Sequence, residues 1–202
     1  MAQDRSIINT GLRGVTIAST RISDVDGQKG RLIYRGYLIR DLAQRASFEE
    51  VVYLLHHEKL PDAKDLAEFR ELLTAERHIP DSVIASLRTC PPDALPMDIL
   101  QAGVSLLASH DPDLTEMNAE AADRKAVRLV AKFPVLLAAW HRIRQGKEPV
   151  TAVPDLDHAG NFLYMLSGKR PDEEVAHFMD VSLVLHAEHS FNASTFAARE
   201  VA

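Results

Sequence analysis

From Ser47 onward, apolar residues recur at spacings of three and four, and each run closes at a residue that ends helices. This pattern limits the chain to packed amphipathic helices. Ser47-Phe48-Glu49-Glu50 reads as a capping box, in which a hydroxyl and a carboxylate satisfy amides at a helix start. Val51, Leu54 and Leu55 form the apolar face that follows, and Pro61 stops it. Asp62 is placed to cap a second helix with Leu66, Phe69 and Leu73 on one side. "RHIPDS" breaks that helix, and a short one through Val83, Ile84 and Leu87 comes next. "CPPDALP" (90–96) cannot lie inside a helix, because each proline removes a donor and obstructs the turn before it.

Met97, Leu100, Val104 and Leu107 mark another helix, stopped by "SHDPD". The spacing then predicts a long helix from about Ala119 to Arg144, carrying Val127, Val130 and Leu137 and kinked at Pro134. "QGKEPVTAVPD" is a loop, and "LDHAGNFLYMLSG" is a short helix ended by Gly168. The last run, "RPDEEVAHFMDVSLVLHAEH", predicts a helix over 172–190. It is apolar on nearly every side between Val175 and Leu185, which predicts burial. The strand signals lie between about residues 12 and 40. "VTIAST" and "RLIYRGYLI" are rich in β-branched and aromatic residues, and the Asp26-Gly27 and Gly30 of "DVDGQKG" suit a tight turn between them. The expected fold is therefore mainly α with a small N-terminal β-hairpin.

At 202 residues the chain is long enough to bury a substantial core. It is 46% hydrophobic and 26% charged, with a net charge of −6 and no long run of one sign. The absence of a basic stripe argues against nucleic acid as a partner. No apolar stretch reaches the length of a membrane span, and "MAQDRSIINTGLRG" contains no secretory h-region. Cys90 is the single cysteine, so no internal disulfide framework is possible. The expectation is a soluble, cytoplasmic protein.

The chemically richest stretch is "LHAEHSFNAST" (185–195). On a helix continuing to residue 190, His186 and His189 would lie one turn apart on roughly one face. Such a pair can share a metal, but H-E-x-x-H is absent and Glu174 to His177 supplies only one Glu-x-x-His. A nucleophile is less well supported, since Ser190, Ser194 and Thr195 sit in no nucleophile elbow and Cys90 lies in a proline-rich segment. No glycine-rich phosphate loop is present. Two readings stay open from the residues alone. Both histidines can be hydrogen-bonded core residues. Alternatively, Asn192 starts a new helix whose free amides lie beside an imidazole, forming the floor of an anion pocket.

The chain resembles the N-terminal half of citrate synthase, in the group that includes 2-methylcitrate synthases. The resemblance is carried, in order, by "GLRGVTIASTRISDVDGQKGRLIYRGYLIRDLA", "SFEEVVYLLHHEKLP", "HIPDSV", "PMDILQAGVSLL", "AKFPVLLAAWHRIRQGKEP", "HAGNFLYMLSGKRP" and "LVLHAEHSFNASTF". It implies a multi-helical fold, with residues 1–202 forming the N-terminal portion of a large domain and working as a homodimer. It also implies condensation of an acyl-CoA, either acetyl-CoA or propionyl-CoA, with oxaloacetate to give citrate or 2-methylcitrate and CoA. Coenzyme A enters as a substrate thioester, and no resident cofactor or metal is implied.

Carried over by position, the resemblance makes His189 an oxaloacetate-binding histidine and Arg77 a substrate-binding arginine. Arg77 can equally be a solvated cation at a helix end. Asn192 would help shape the pocket, and His186 would be structural. The family's catalytic histidine and aspartate motifs do not occur among these residues, nor do its small-domain segments. The expectation is a fragment without activity of its own. The alternative is a non-catalytic helical piece that pairs with a complementary subunit.

Overall fold

The computed structural model describes residues 18–201. A three-stranded antiparallel sheet opens the described chain, with β1 (Ser23–Asp26), β2 (Arg31–Tyr34) and β3 (Tyr37–Leu38) in that order. Ser23 stands opposite Tyr34 and Asp26 opposite Arg31, while Tyr34 also faces Tyr37. The first turn is closed by the Asp26 carboxylate, which accepts from the Lys29 amide at 3.1 Å. The second consists of Arg35 and Gly36, both at positive φ (46° and 91°), the backbone a two-residue hairpin requires.

The expected hairpin is present but shifted. Residues 15–17 of "VTIAST" lie outside the described residues, and 18–20 are not in a strand. β1 falls instead on Ser23–Asp26, part of which read as turn. Its pairing with β2 rests on backbone hydrogen bonds at a largely exposed edge, so it leaves little apolar pattern to read. "RLIYRGYLI" is not one strand. It folds back at Arg35-Gly36 and enters α1 (Ile39–Arg45), a helix that the strand-like composition concealed.

The helices that follow are α2 (Phe48–His57), α3 (Ala63–Ala75), α4 (Asp81–Leu87), α5 (Pro96–Ala108), α6 (Ala119–Ile143), α7 (His158–Ser167), α8 (Glu173–His186) and α9 (Ala193–Val201). The caps fall where the sequence puts them. Ser47 N–H donates to Glu50 Oε2 at 2.7 Å, and the Ser47 hydroxyl accepts from the Glu50 amide. Asp62 Oδ1 accepts from Lys64 and Asp65, and Gly168 closes α7 at φ 76°. Pro96 occupies the first turn of α5, where its missing N–H costs nothing. Pro134 lies inside α6.

Three apolar clusters hold the helices together. Ile79, Val83, Leu87, Ile99, Leu107, Leu136 and Trp140 join α4, α5 and α6. Gly103 lets α5 approach α6 closely, since a Cβ there would stand 3.0 Å from Leu136 Cδ1. Val52, Phe69, Leu73, Val127 and Ala131 tie α2 and α3 to α6. Tyr34, Leu42, Val51, Leu54 and Val184 bind the sheet, α1 and α2 to α8.

The last long helix departs from expectation twice. It ends at His186, not near residue 190, and its apolar residues are not all covered. Val175, Phe178 and Leu185 are 48%, 75% and 44% exposed, at spacings of three and seven. Only Asp180 and Val184 of α8 are buried, because α1, α2 and α7 cover one side of the helix and leave that stripe bare. Among the described residues, no helix is long and apolar enough to cross a membrane.

Candidate substrate-binding site

The sheet decides where α8 stops. The Tyr34 ring is fully buried, and its hydroxyl donates to the Glu188 carbonyl at 3.0 Å, with the Leu185 carbonyl at 3.3 Å. The Glu188 amide returns a hydrogen bond to the same oxygen at 3.2 Å. Carbonyls at a helix end need partners outside the helix, and here a side chain from β2 supplies one. The Glu188 carboxylate accepts from the Ser23 hydroxyl at 2.8 Å and from the Ser190 amide. Ser190 is left-handed at φ 56°. Asn192 then caps α9, its Oδ1 accepting from the Thr195 amide at 2.8 Å.

His189 sits in the middle of this linker, exposed and beyond the helix. His186 is also exposed and spends Nδ1 on the Ser182 carbonyl at 2.7 Å. The helical register that would have aligned the two imidazoles is therefore absent, and so is the geometry for a shared metal. Neither histidine is a core residue. Among the described residues, no group of three or more His, Cys, Asp or Glu side chains is arranged to hold a metal ion. The reading of Asn192 as the start of a new helix, just after His189, is what the backbone shows.

Arg77 follows the C-terminal end of α3 and is buried, not solvated. One guanidinium N–H donates to the Val153 carbonyl at 3.3 Å. Burial lowers its pKa, opposed by the charges of Glu49 and Asp157. It lines a polar cavity of about 360 Å³ together with Glu49, Arg70, Thr74, Asp155 and Asp157. A second cavity, of about 490 Å³, opens on its other side along residues 148–154. No residue of the α8–α9 linker lines either one, so the structure does not bring Arg77 and His189 together.

Beside Arg77 lies a buried polar cluster that the sequence reading did not single out. Glu49, at 1% exposure, accepts from the His158 amide at 2.9 Å and so caps α7 from α2. Asp180 of α8 does the same for α2, accepting from the Phe48 amide at 3.0 Å. Each buried carboxylate thus faces the positive end of a neighbouring helix. Burial nevertheless raises the Asp180 pKa. The His158 ring packs on Phe48, 5.0 Å between centroids. Burial first, and then the Arg77 charge, depress its pKa to about 4, so it is neutral at pH 7. Glu49 Oε2 and His158 Nδ1 have no hydrogen-bond partner. Asp180 was detectable in principle, as an acid inside the apolar run "FMDVSLVL". Glu49 was concealed by the capping box, which explains acids at a helix start without requiring burial.

Asn161, 1% exposed, fixes the loop in front of Arg77. Its Oδ1 accepts from the Val153 amide at 2.8 Å, and its Nδ2 donates to the carbonyls of Val153 (2.8 Å), Leu156 (2.6 Å) and Asp157 (3.2 Å). Arg77 and Asn161 therefore hold the same carbonyl.

Comparison with known proteins gives a consistent result. The family model described as "Citrate synthase, C-terminal domain" matches residues 11–202. A citrate synthase of Haloferax volcanii is 44% identical over 199 residues, covering 95% of this chain and 52% of the relative. A 2-methylcitrate synthase of Mycobacterium tuberculosis is 41% identical over 198 residues, covering 98% and 50%. The crystal structure of citrate synthase from Pyrobaculum aerophilum superposes with a TM-score of 0.87 at 38% identity, covering 93% of this chain and 49% of that one. Citrate synthase from Thermotoga maritima gives 0.84 at 34%, covering 95% and 50%. The chain spans about half the length of the curated relatives it matches.

Proposed function

This chain belongs to the citrate synthase family, and from that premise we propose that it serves the condensation of an acyl-CoA with oxaloacetate. The products are citrate or 2-methylcitrate and CoA, in the tricarboxylic acid or methylcitrate cycle of the cytoplasm. This is acyl transfer with a thioester substrate and no resident cofactor, carried out by a homodimer. The observation that carries the reading is the exposed His189 imidazole, held just ahead of the Asn192-capped start of α9.

His189 binds the keto acid by donating a ring N–H to one of its oxygens, and does not itself move the critical proton. Oxaloacetate is a dianion, and a helix start beside the imidazole adds amide dipoles of the matching sign. Arg77 enters as a separate substrate contact, at a cavity apart from the α8–α9 linker. Its support is a guanidinium that spends one hydrogen bond on Val153 and faces a polar cavity. These 202 residues alone do not turn over substrate in this reading, because the family's catalytic histidine and aspartate motifs do not occur in their sequence.

Titration calorimetry of the chain with oxaloacetate tests the binding step. Replacing His189 by Ala weakens binding at least tenfold, the worth of about one charge-assisted hydrogen bond. Equal affinity in the two proteins rejects the assignment, and the same measurement on Arg77→Ala decides that residue separately. A thiol-release assay with acetyl-CoA or propionyl-CoA reads turnover, and none is expected from the chain alone.

The bare stripe on α8 favours a second reading, a helical piece that pairs with a complementary subunit. Co-purification with such a subunit supports it. A monodisperse monomer that folds cooperatively and retains no partner argues against it.

A further inference from the structure

We propose that Tyr34, acting with Glu188 and Ser23, positions His189 for its substrate, an inference that rests on the reading of His189 as the oxaloacetate contact. A contact residue on a linker gains affinity only if its backbone is already in place, since ordering it on binding offsets the interaction. The linker between α8 and α9 has no strand or helix partner for its main chain at Glu188, His189 and Ser190. Apart from the Asn192 amide, which donates to the Ser190 carbonyl at 3.0 Å, fixation comes from side chains.

Both neighbours of His189 are fixed. Glu188 has its carbonyl and its amide on the Tyr34 hydroxyl, at 3.0 and 3.2 Å, and its carboxylate on Ser23 Oγ at 2.8 Å. Ser190 donates its amide to that same carboxylate and adopts the left-handed conformation that turns the chain toward α9. The His189 ring makes none of these bonds. It is exposed, carried on a backbone held on either side, with only its own two side-chain torsions left to set.

The hydroxyl that does this is itself immovable. Tyr34 lies 154 residues away in sequence, with its ring locked among Leu42, Val51, Leu54 and Val184. Tyr34 and Ser23 are paired across β1 and β2. The small sheet therefore presents two hydroxyls side by side to one residue of the linker. Tyr34 and Glu188 touch no substrate in this arrangement, and they act through His189.

The test combines backbone-amide NMR of the chain with oxaloacetate titration. Tyr34→Phe keeps the ring and loses the hydroxyl. The amide signals of Glu188, His189 and Ser190 should shift or broaden while those of α3 to α6 stay in place. The oxaloacetate dissociation constant should rise about five- to tenfold, the equivalent of one net hydrogen bond. In a His189→Ala background the same change should have no effect on affinity, and this non-additivity separates positioning from general weakening. Ser23→Ala, a milder change at the edge of the sheet, should act in the same direction. Unmoved linker amides overturn the proposal, as does equal weakening with and without the imidazole. If His189→Ala alone leaves affinity intact, the substrate reading of His189 falls, and the amide shifts still decide whether Tyr34 fixes this backbone.

Discussion

The phenolic oxygen of Tyr34 stands 3.2 Å from the amide nitrogen of Glu188 and 3.0 Å from its carbonyl oxygen, so one hydroxyl serves both polar groups of one peptide residue. This joins the N-terminal sheet to the linker itself, one residue before His189. Removing the hydroxyl leaves two main-chain groups without their partner. Tyr34→Phe should cost about 1–2 kcal/mol of unfolding free energy in urea titrations. A loss below a few tenths would mean that water replaces the hydroxyl at no cost.

His158 makes stability depend on pH. Its folded pKa, about 4, lies below the ordinary value of 6.5, so the unfolded chain binds the proton more tightly. Stability from this group is complete above pH 6.5 and is lost as pH falls toward 4. The expected loss is on the order of 3 kcal/mol, by linkage. His158→Phe should flatten that part of the stability profile measured between pH 7 and 4. An unchanged slope would place the effect elsewhere.

Asp180 works in the opposite sense. Its pKa is raised by burial, so the folded state favours its protonated form, and stability falls as pH rises through the region just above 3.8. Asp180→Asn keeps an acceptor for the Phe48 amide and removes a buried charge, so it should be neutral or stabilising. Asp180→Ala leaves that amide orphaned and should cost about 1–3 kcal/mol. Thermal melts of the two variants at pH 7 order them, and an equal loss in both would show that the charge itself caps α2.

Phe178 gives a prediction about association. With 75% of its surface exposed, it contributes little to the stability of the isolated chain. Phe178→Asp should change unfolding free energy by no more than about 0.5 kcal/mol. If the α8 stripe mediates pairing, the variant should lose that pairing in sedimentation velocity. A large drop in stability would mean that the ring is covered within the chain.

Helices closed by local chemistry were legible from the sequence. Ser47, Asp62 and Gly168 act within three or four residues of themselves, and a hydroxyl or a missing Cβ has the same effect in any fold. The end of α8 was not legible, because nothing between Leu185 and Ser190 stops a helix. The stop comes from a tyrosine 154 residues earlier. Misreading that end put His186 and His189 on one face. The same limit applies to the polar interior. Glu49 and Asp180 cap helices to which they do not belong, so spacing along their own helices carried no sign of the partner, even where an acid inside an apolar run marked Asp180 as unusual. The first strand was misplaced for a related reason, since an exposed edge held by backbone bonds has little apolar alternation.

The side-chain amide of Asn161 grips Val153 only by the latter's main-chain N–H and carbonyl. The loop can therefore exchange its side chains at 150–153 and keep its path, so variation there should be cheap. The amide at 161 has no such freedom. Aspartate, although nearly the same shape, would set a negative oxygen against carbonyls that now receive hydrogens. The wall in front of Arg77 thus tolerates substitution along its length and almost none at its anchor.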